Sequence, residues 1–142
     1  MAHGFIRQSG PDLGDKVAKI SSLAITIGDL LAFSRSAGTV VKATSSTSAE
    51  DIAGVATKDT TTSDTEVTYR PVNADDTYRI STANNSNVSH NYQRMVLTDE
   101  NEVNNTGTDS TSDAAVFMQE GVYGVAADKE IIGRIITRQD RA

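Results

Sequence analysis

Leu23, Ile25 and Ile27 alternate with Ala24 and Thr26, and behind Gly28-Asp29 an apolar run covers residues 30–33. Period-two alternation and short apolar runs bounded by turn residues predict strands. The same signals place strands at 39–44, behind Ala37-Gly38, and at 52–57, with the small polar residues 45–50 as a loop between them. Residues 66–72 carry Val67 and Tyr69 on one face, and Pro71 puts that strand at an edge or at its end. After the turn signal of residues 73–76 the pattern returns at 77–82 with Tyr78 and Ile80, so the two strands read as a hairpin.

The second half is more polar. The Thr/Ser/Asp tract 59–64 reads as a surface turn, and residues 83–89, rich in Asn, as the clearest loop. A short helical turn is predicted near 88–94, then strands at 95–98, 114–119, 122–126 and 131–137, with turns or loops at 99–101 and 104–112. No segment sustains a 3.6-residue apolar period with caps, so the chain is all-β, a small antiparallel β-barrel. Its predicted core holds Leu23, Ile25, Leu30, Val41, Ile52, Val55, Val67, Ile80, Val116, Val125, Ile132 and Ile135. Gly54 and Gly133 sit in matching apolar contexts, Asp51-Ile52-Ala53-Gly54 and Glu130-Ile131-Ile132-Gly133, where a glycine marks a bulge or a close backbone approach.

Residues 1–20 lack either periodicity and read as an extended N-terminal arm, leaving 21–142 as a single barrel domain. Phe5 and Ile6 give such an arm something to bury against a neighbour, and Arg7, Lys16 and Lys19 make it basic. Charge sharpens this picture. The chain carries a net charge of −6, and residues 21–133 hold 7 basic against 16 acidic side chains. An acidic body repels phosphates, so nucleic acid is not an expected partner, whereas basic ends suit an acidic protein surface.

Composition agrees with sheets: 37% of residues are apolar, 5% are aromatic, and Thr, Val and Ile are frequent. There are no cysteines, so disulfides and thiolate metal sites do not arise. No leader pattern and no apolar run near 20 residues occurs, which predicts a soluble, unexported protein without a membrane partner.

Candidate chemistry is sparse. No Gly-x-Ser-x-Gly elbow, dinucleotide loop or phosphate-binding loop is found, and no catalytic, cofactor-binding or metal-ligating set is assigned. His3 and His90 are far apart, and a histidine metal site needs converging ligands. The acidic pairs Glu50/Asp51, Asp75/Asp76 and Asp99/Glu100 fall in predicted turns, which makes them solvated rather than general acids and bases. Residues 99–104 lack the Gly and Glu of a calcium loop, and the Asn-x-Ser/Thr triplets at Asn84, Asn87 and Asn104 are chance matches.

The order Ile27-Gly28-Asp29-Leu30-Leu31-Ala32-Phe33, Gly38-Thr39-Val40-Val41-Lys42-Ala43-Thr44 and Asp51-Ile52-Ala53-Gly54-Val55-Ala56-Thr57-Lys58 resembles the β-tulip decoration, or cement, proteins of tailed bacteriophages. That resemblance implies a β-tulip barrel that trimerises with itself on the outer surface of an icosahedral shell. It also implies the major capsid protein as partner, manufacture in the host cytoplasm and residence in the virion. The arm residues Phe5, Ile6, Arg7, Lys16 and Lys19 would then contact the shell or a neighbouring subunit. The alternatives are a head-fibre, tail or cell-surface attachment module, which shares the Ser/Thr/Asn-rich composition, and an enzyme. Trimeric all-β dUTPases have similar lengths, but their Asp-Ala-Gly-Tyr-Asp element is not present.

Overall fold

The computed structural model describes residues 4–106 and 109–136. Eleven strands make up two sheets: β1 (Ile6–Ser9), β2 (Lys16–Lys19), β3 (Leu30–Ser34), β4 (Thr39–Lys42), β5 (Ile52–Ala56), β6 (Glu66–Pro71), β7 (Thr77–Thr82), β8 (Arg94–Asp99), β9 (Glu102–Asn104), β10 (Ala115–Val122) and β11 (Glu130–Ile135). The only helical pieces among the described residues are three-residue 3-10 turns, one of them at Val88–His90, inside the expected 88–94 stretch. No helix there is long and apolar enough to cross a membrane.

The fold is all-β, as the alternation predicts. One sheet runs β2-β6-β5-β3-β4 and is open, with β2 and β4 as its edges. The other runs β1-β7-β11-β10-β8-β9, and β9 also pairs in parallel with the far end of β7. The architecture is therefore two packed sheets, closer to a small sandwich than to the single closed barrel expected. Phe5, Leu30, Ile52 and Val55 join Tyr78, Ile80, Phe117, Ile131 and Ile135 in a core drawn from both sheets. A second cluster, with Ile20, Ile25, Leu31, Val40, Val67 and Tyr69, belongs to the open sheet alone.

Several local expectations are corrected. Residues 23–27 are not a strand, because Thr60 and Asp59 occupy their backbone groups. The Thr60 hydroxyl accepts from Ile25 N–H at 3.0 Å and donates to the Leu23 carbonyl at 2.7 Å, and Asp59 Oδ1 accepts from Ile27 N–H at 2.8 Å. Side chains that satisfy the backbone in this way replace a ladder. The predicted hairpin of 66–72 with 77–82 does not form: β6 and β7 lie in different sheets, and residues 73–76 carry the chain from one to the other. The predicted separate strand 122–126 does not form: Val122 ends β10, and Ala126–Asp128 is a 3-10 turn before Lys129 at φ 54°. The short strand β9 was not anticipated, although its Val103 is fully buried. Thr137, His3 and Gly107-Thr108 of the predicted 104–112 loop lie outside the described residues.

Leu30, Ile52, Val55, Val67, Ile80, Val116, Ile135 and Ile25 are buried as expected, but Val41 and Val125 are exposed and Leu23 and Ile132 half-buried. Val40 and Ile131 take the inward places next to two of them. Strand faces alternate, so a one-residue offset exchanges inside for outside.

The glycine echo is structural. Each glycine lies beside an irregular step in register, Leu31/Ala32 opposite Gly54 and Gln119/Gly121 opposite Gly133. A Cβ on Gly54 would run into the Arg70 carbonyl, and one on Gly133 into the Met118 carbonyl. Both positions bring two backbones together more closely than any side chain permits.

Candidate interaction surfaces

The residues expected to form a binding arm have separate fates. Phe5 is 3% exposed and stacks edge-on against Tyr78 (centroids 6.1 Å apart) and tilted against Phe117 (5.8 Å). Its N–H donates to the Gly28 carbonyl at 2.8 Å, and Ile6 follows it into β1, paired with Arg79 of β7. Across its described residues, then, the segment is no free arm. It contributes a strand to each sheet and an aromatic ring to the shared core, because an aromatic side chain that can reach a core is more stable there than in water.

Arg7, itself exposed, reaches a buried ion pair. Arg70 grips Asp76 with two N–H groups, Nε to Oδ2 at 2.9 Å and Nη2 to Oδ1 at 2.8 Å, and Arg7 Nε adds a third at 3.2 Å. Asp76 is fully buried, which corrects its reading as a solvated turn carboxylate. The hydrogen bond to Asp76 and its charge raise the Arg70 pKa against the opposing effect of burial. The remaining guanidinium donors hold the crossing segment 10–13: Arg70 Nη1 donates to the Leu13 carbonyl at 2.8 Å, and Nη2 to that of Pro11 at 2.6 Å. Arg7 Nη2 donates to the carbonyls of Gly10 and Pro11 at 2.6 and 2.7 Å. A buried carboxylate is retained only when charged hydrogen bonds complete its geometry, as two guanidiniums do here. Local composition could not have revealed this, because the cluster joins two stretches of chain, residues 7–13 and 70–76.

Lys16 and Lys19 remain outside. They lie on β2, which pairs with β6 along one side only, in the register Lys16↔Tyr69 to Lys19↔Glu66, so its other edge offers unpaired backbone groups. Beside that edge runs a groove of about 650 Å³, lined by Val17, Lys19, Phe33, Arg35, Val40 and Tyr69. Val17 is 59% exposed and Phe33 45% exposed. An unprotected strand edge next to exposed apolar side chains is a site for pairing with another chain. The sequence showed the lysines but not Val17, whose neighbours carry no strand periodicity.

A second apolar surface lies at the end of the other sheet. Val88, Tyr92, Tyr123 and Val125 are all exposed on two loops joined by Ser86 N–H donating to the Ala126 carbonyl at 3.1 Å. Tyr92 is held at φ 68°, in the left-handed region that aromatic residues seldom adopt, by its N–H donating to the Gln119 carbonyl at 2.6 Å. Tyr123 packs beneath the Arg79 guanidinium, 4.5 Å from the ring centre. His90 lies in the first of these loops, half-buried, and among the described residues no three acidic or histidine side chains converge as a metal site would require.

No protein-family model matches the chain, and no curated protein matches it in sequence.

Proposed function

We propose that the protein is a structural binding module, a capsid decoration protein that docks as a homotrimer on the outer surface of a tailed-phage shell and stabilises it. The strand-and-turn order of residues 27–58 supports this reading through its resemblance to the β-tulip decoration proteins, and the two-sheet body is read as a form of that fold. The observation that carries it is the open edge of β2, with Lys16, Val17 and Lys19 exposed beside the Phe33 groove. Shell contact shifts accordingly from Phe5 and Ile6 to this edge, where an extended segment of the major capsid protein can add a strand. Basic side chains there favour an acidic partner surface and set the register of docking.

Co-sedimentation with purified empty capsids tests the proposal. Wild-type protein should pellet with the shells, and Val17→Asp with Phe33→Ser should stay in the supernatant while light scattering and circular dichroism show an unchanged fold. If the variant pellets equally well, the β2 edge is not the docking surface. If wild-type protein does not bind while native particles carry it on a fibre or tail, the attachment reading replaces this one. The exposed Tyr92 and Tyr123 loops favour that second reading, since exposed tyrosines on ordered loops suit recognition of an external partner.

A further inference from the structure

The stretch between Arg79 and Arg94 carries no Lys, Arg, Asp or Glu, and neither does the stretch between Glu120 and Asp128. The charged residues that border them are balanced: Arg79 meets Glu130 at 3.6 Å, Arg94 meets Asp109 at 3.0 Å and Glu120 meets Arg134 at 3.8 Å, while Asp128 and Lys129 are neighbours of opposite sign. The two loops and their borders therefore add no net charge, in a chain whose net charge is −6. Copies of an acidic protein repel one another, and they approach most easily where that charge is missing.

These loops offer apolar surface on a rigid frame. Val88 is 64% exposed, Tyr92 72% and Val125 66%. Gln119 of β10, fully buried, donates from Nε2 to the Asn87 carbonyl and to Asn91 Oδ1, both at 2.8 Å, which fastens the first loop on either side of Val88. The hydrogen bond from Ser86 to Ala126 ties the second loop to the first, and Val125 N–H donates to Asp128 Oδ2 at 3.0 Å. Tyr92 is kept in the left-handed region, a strain that persists only where the surroundings hold it. Apolar side chains accompanied by the exposed and uncharged Asn84, Asn85, Asn87 and Ser89 have the makeup of a protein interface, an apolar centre with a polar rim. Groups already held in place lose little freedom on binding.

We propose that a second copy of this chain docks on this surface, with Val88, Tyr92, Tyr123 and Val125 as the subunit contact. The number of copies rests on the homotrimer reading, and the choice of face rests on the loops themselves. The β2 edge is a poorer meeting place, because antiparallel self-pairing would set Lys16 opposite the second copy's Lys19.

Sedimentation velocity over a dilution series from about 100 µM tests the proposal. Wild-type protein should associate, and more tightly in high salt, which screens the acidic bodies and leaves an uncharged contact intact. Val88→Asp with Val125→Asp, both at exposed loop positions, should be monomeric throughout, with an unchanged circular dichroism spectrum. Tyr92→Ala should weaken association at least about tenfold, whereas Val17→Asp with Phe33→Ser should associate like the wild type. A monomeric wild type overturns the proposal together with the preformed homotrimer, and leaves the loops to an external partner. Association that survives both the Asp pair and Tyr92→Ala overturns this face alone and leaves the homotrimer reading standing. Wild-type dimers that the Asp pair dissolves support the face and overturn the count of three.

Discussion

The strands β1 and β2 come from one short stretch of polar, turn-rich sequence, yet they serve opposite ends. β1 is an edge strand with Arg7, Gln8 and Ser9 exposed, but Phe5 just before it lies in the core and Arg7 reaches Asp76, which ties it to other parts of the same molecule. β2 lies on the rim of the open sheet, with Lys16, Val17 and Lys19 facing out. What separates them is what each can reach. Tyr78 and Phe117 wait beside Phe5, whereas among the described residues no strand pairs with the outer edge of β2, which faces β3 and β4 across the groove. A segment without periodicity can therefore be half foundation and half contact surface.

Breaking the β1 half should have the largest effect. Deletion of residues 1–20 removes a strand from each sheet and should abolish cooperative unfolding, instead of leaving a folded barrel that has merely lost an arm. Phe5→Ala alone should destabilise by about 3–5 kcal/mol, measured by urea unfolding, through lost burial and the cavity left between Tyr78 and Phe117. An effect below about 1 kcal/mol would return Phe5 to the role of an external anchor.

Asp76→Asn should come next, at about 3 kcal/mol, because it leaves two guanidiniums beside a neutral group at a fully buried position. Limited proteolysis should then cut the 10–13 segment, whose carbonyls those guanidiniums hold. Gly133→Ala should cost about 1–3 kcal/mol in the same unfolding assay, since the new methyl meets the Met118 backbone. It tests the β10–β11 pairing without touching either strand of the comparison.

The β2 half should show the smallest effect on stability. Lys16→Glu with Lys19→Glu should change unfolding free energy by no more than about 0.5 kcal/mol, as surface substitutions do. The same pair should reduce capsid co-sedimentation and weaken its dependence on salt. A large loss of stability would mean that these lysines support the sheet itself.

Most strands from β3 onward were legible from alternation, but β1, β2 and β9 were not, and neither was which strands meet. Pro71 and residues 73–76 look the same whether the chain folds back beside itself or crosses to another sheet, and only the packing of Tyr78 against Phe5 decides it. Val40 against Val41 and Ile131 against Ile132 differ by one residue, too little for composition to resolve. The glycine echo was readable because close backbone approach imposes a local demand on residue type. Asp76 was misread because a turn motif does not show that the chain buries it between Arg70, six residues before it, and the distant Arg7. Val17 was missed because an exposed edge strand of four residues leaves almost no hydrophobic signature.

The position of β11 bears on how the molecule is made. It is the last described strand in sequence, yet it sits in the middle of its sheet, between β7 and β10. Before β11 joins, β7 reaches β10 only the long way round, through β9 and β8, so the β7–β11 pairing closes a long span of chain. Such long-range pairing slows folding. Until that pairing forms, the facing edges of β7 and β10 stay open to another chain, and this step of folding is the one most exposed to aggregation.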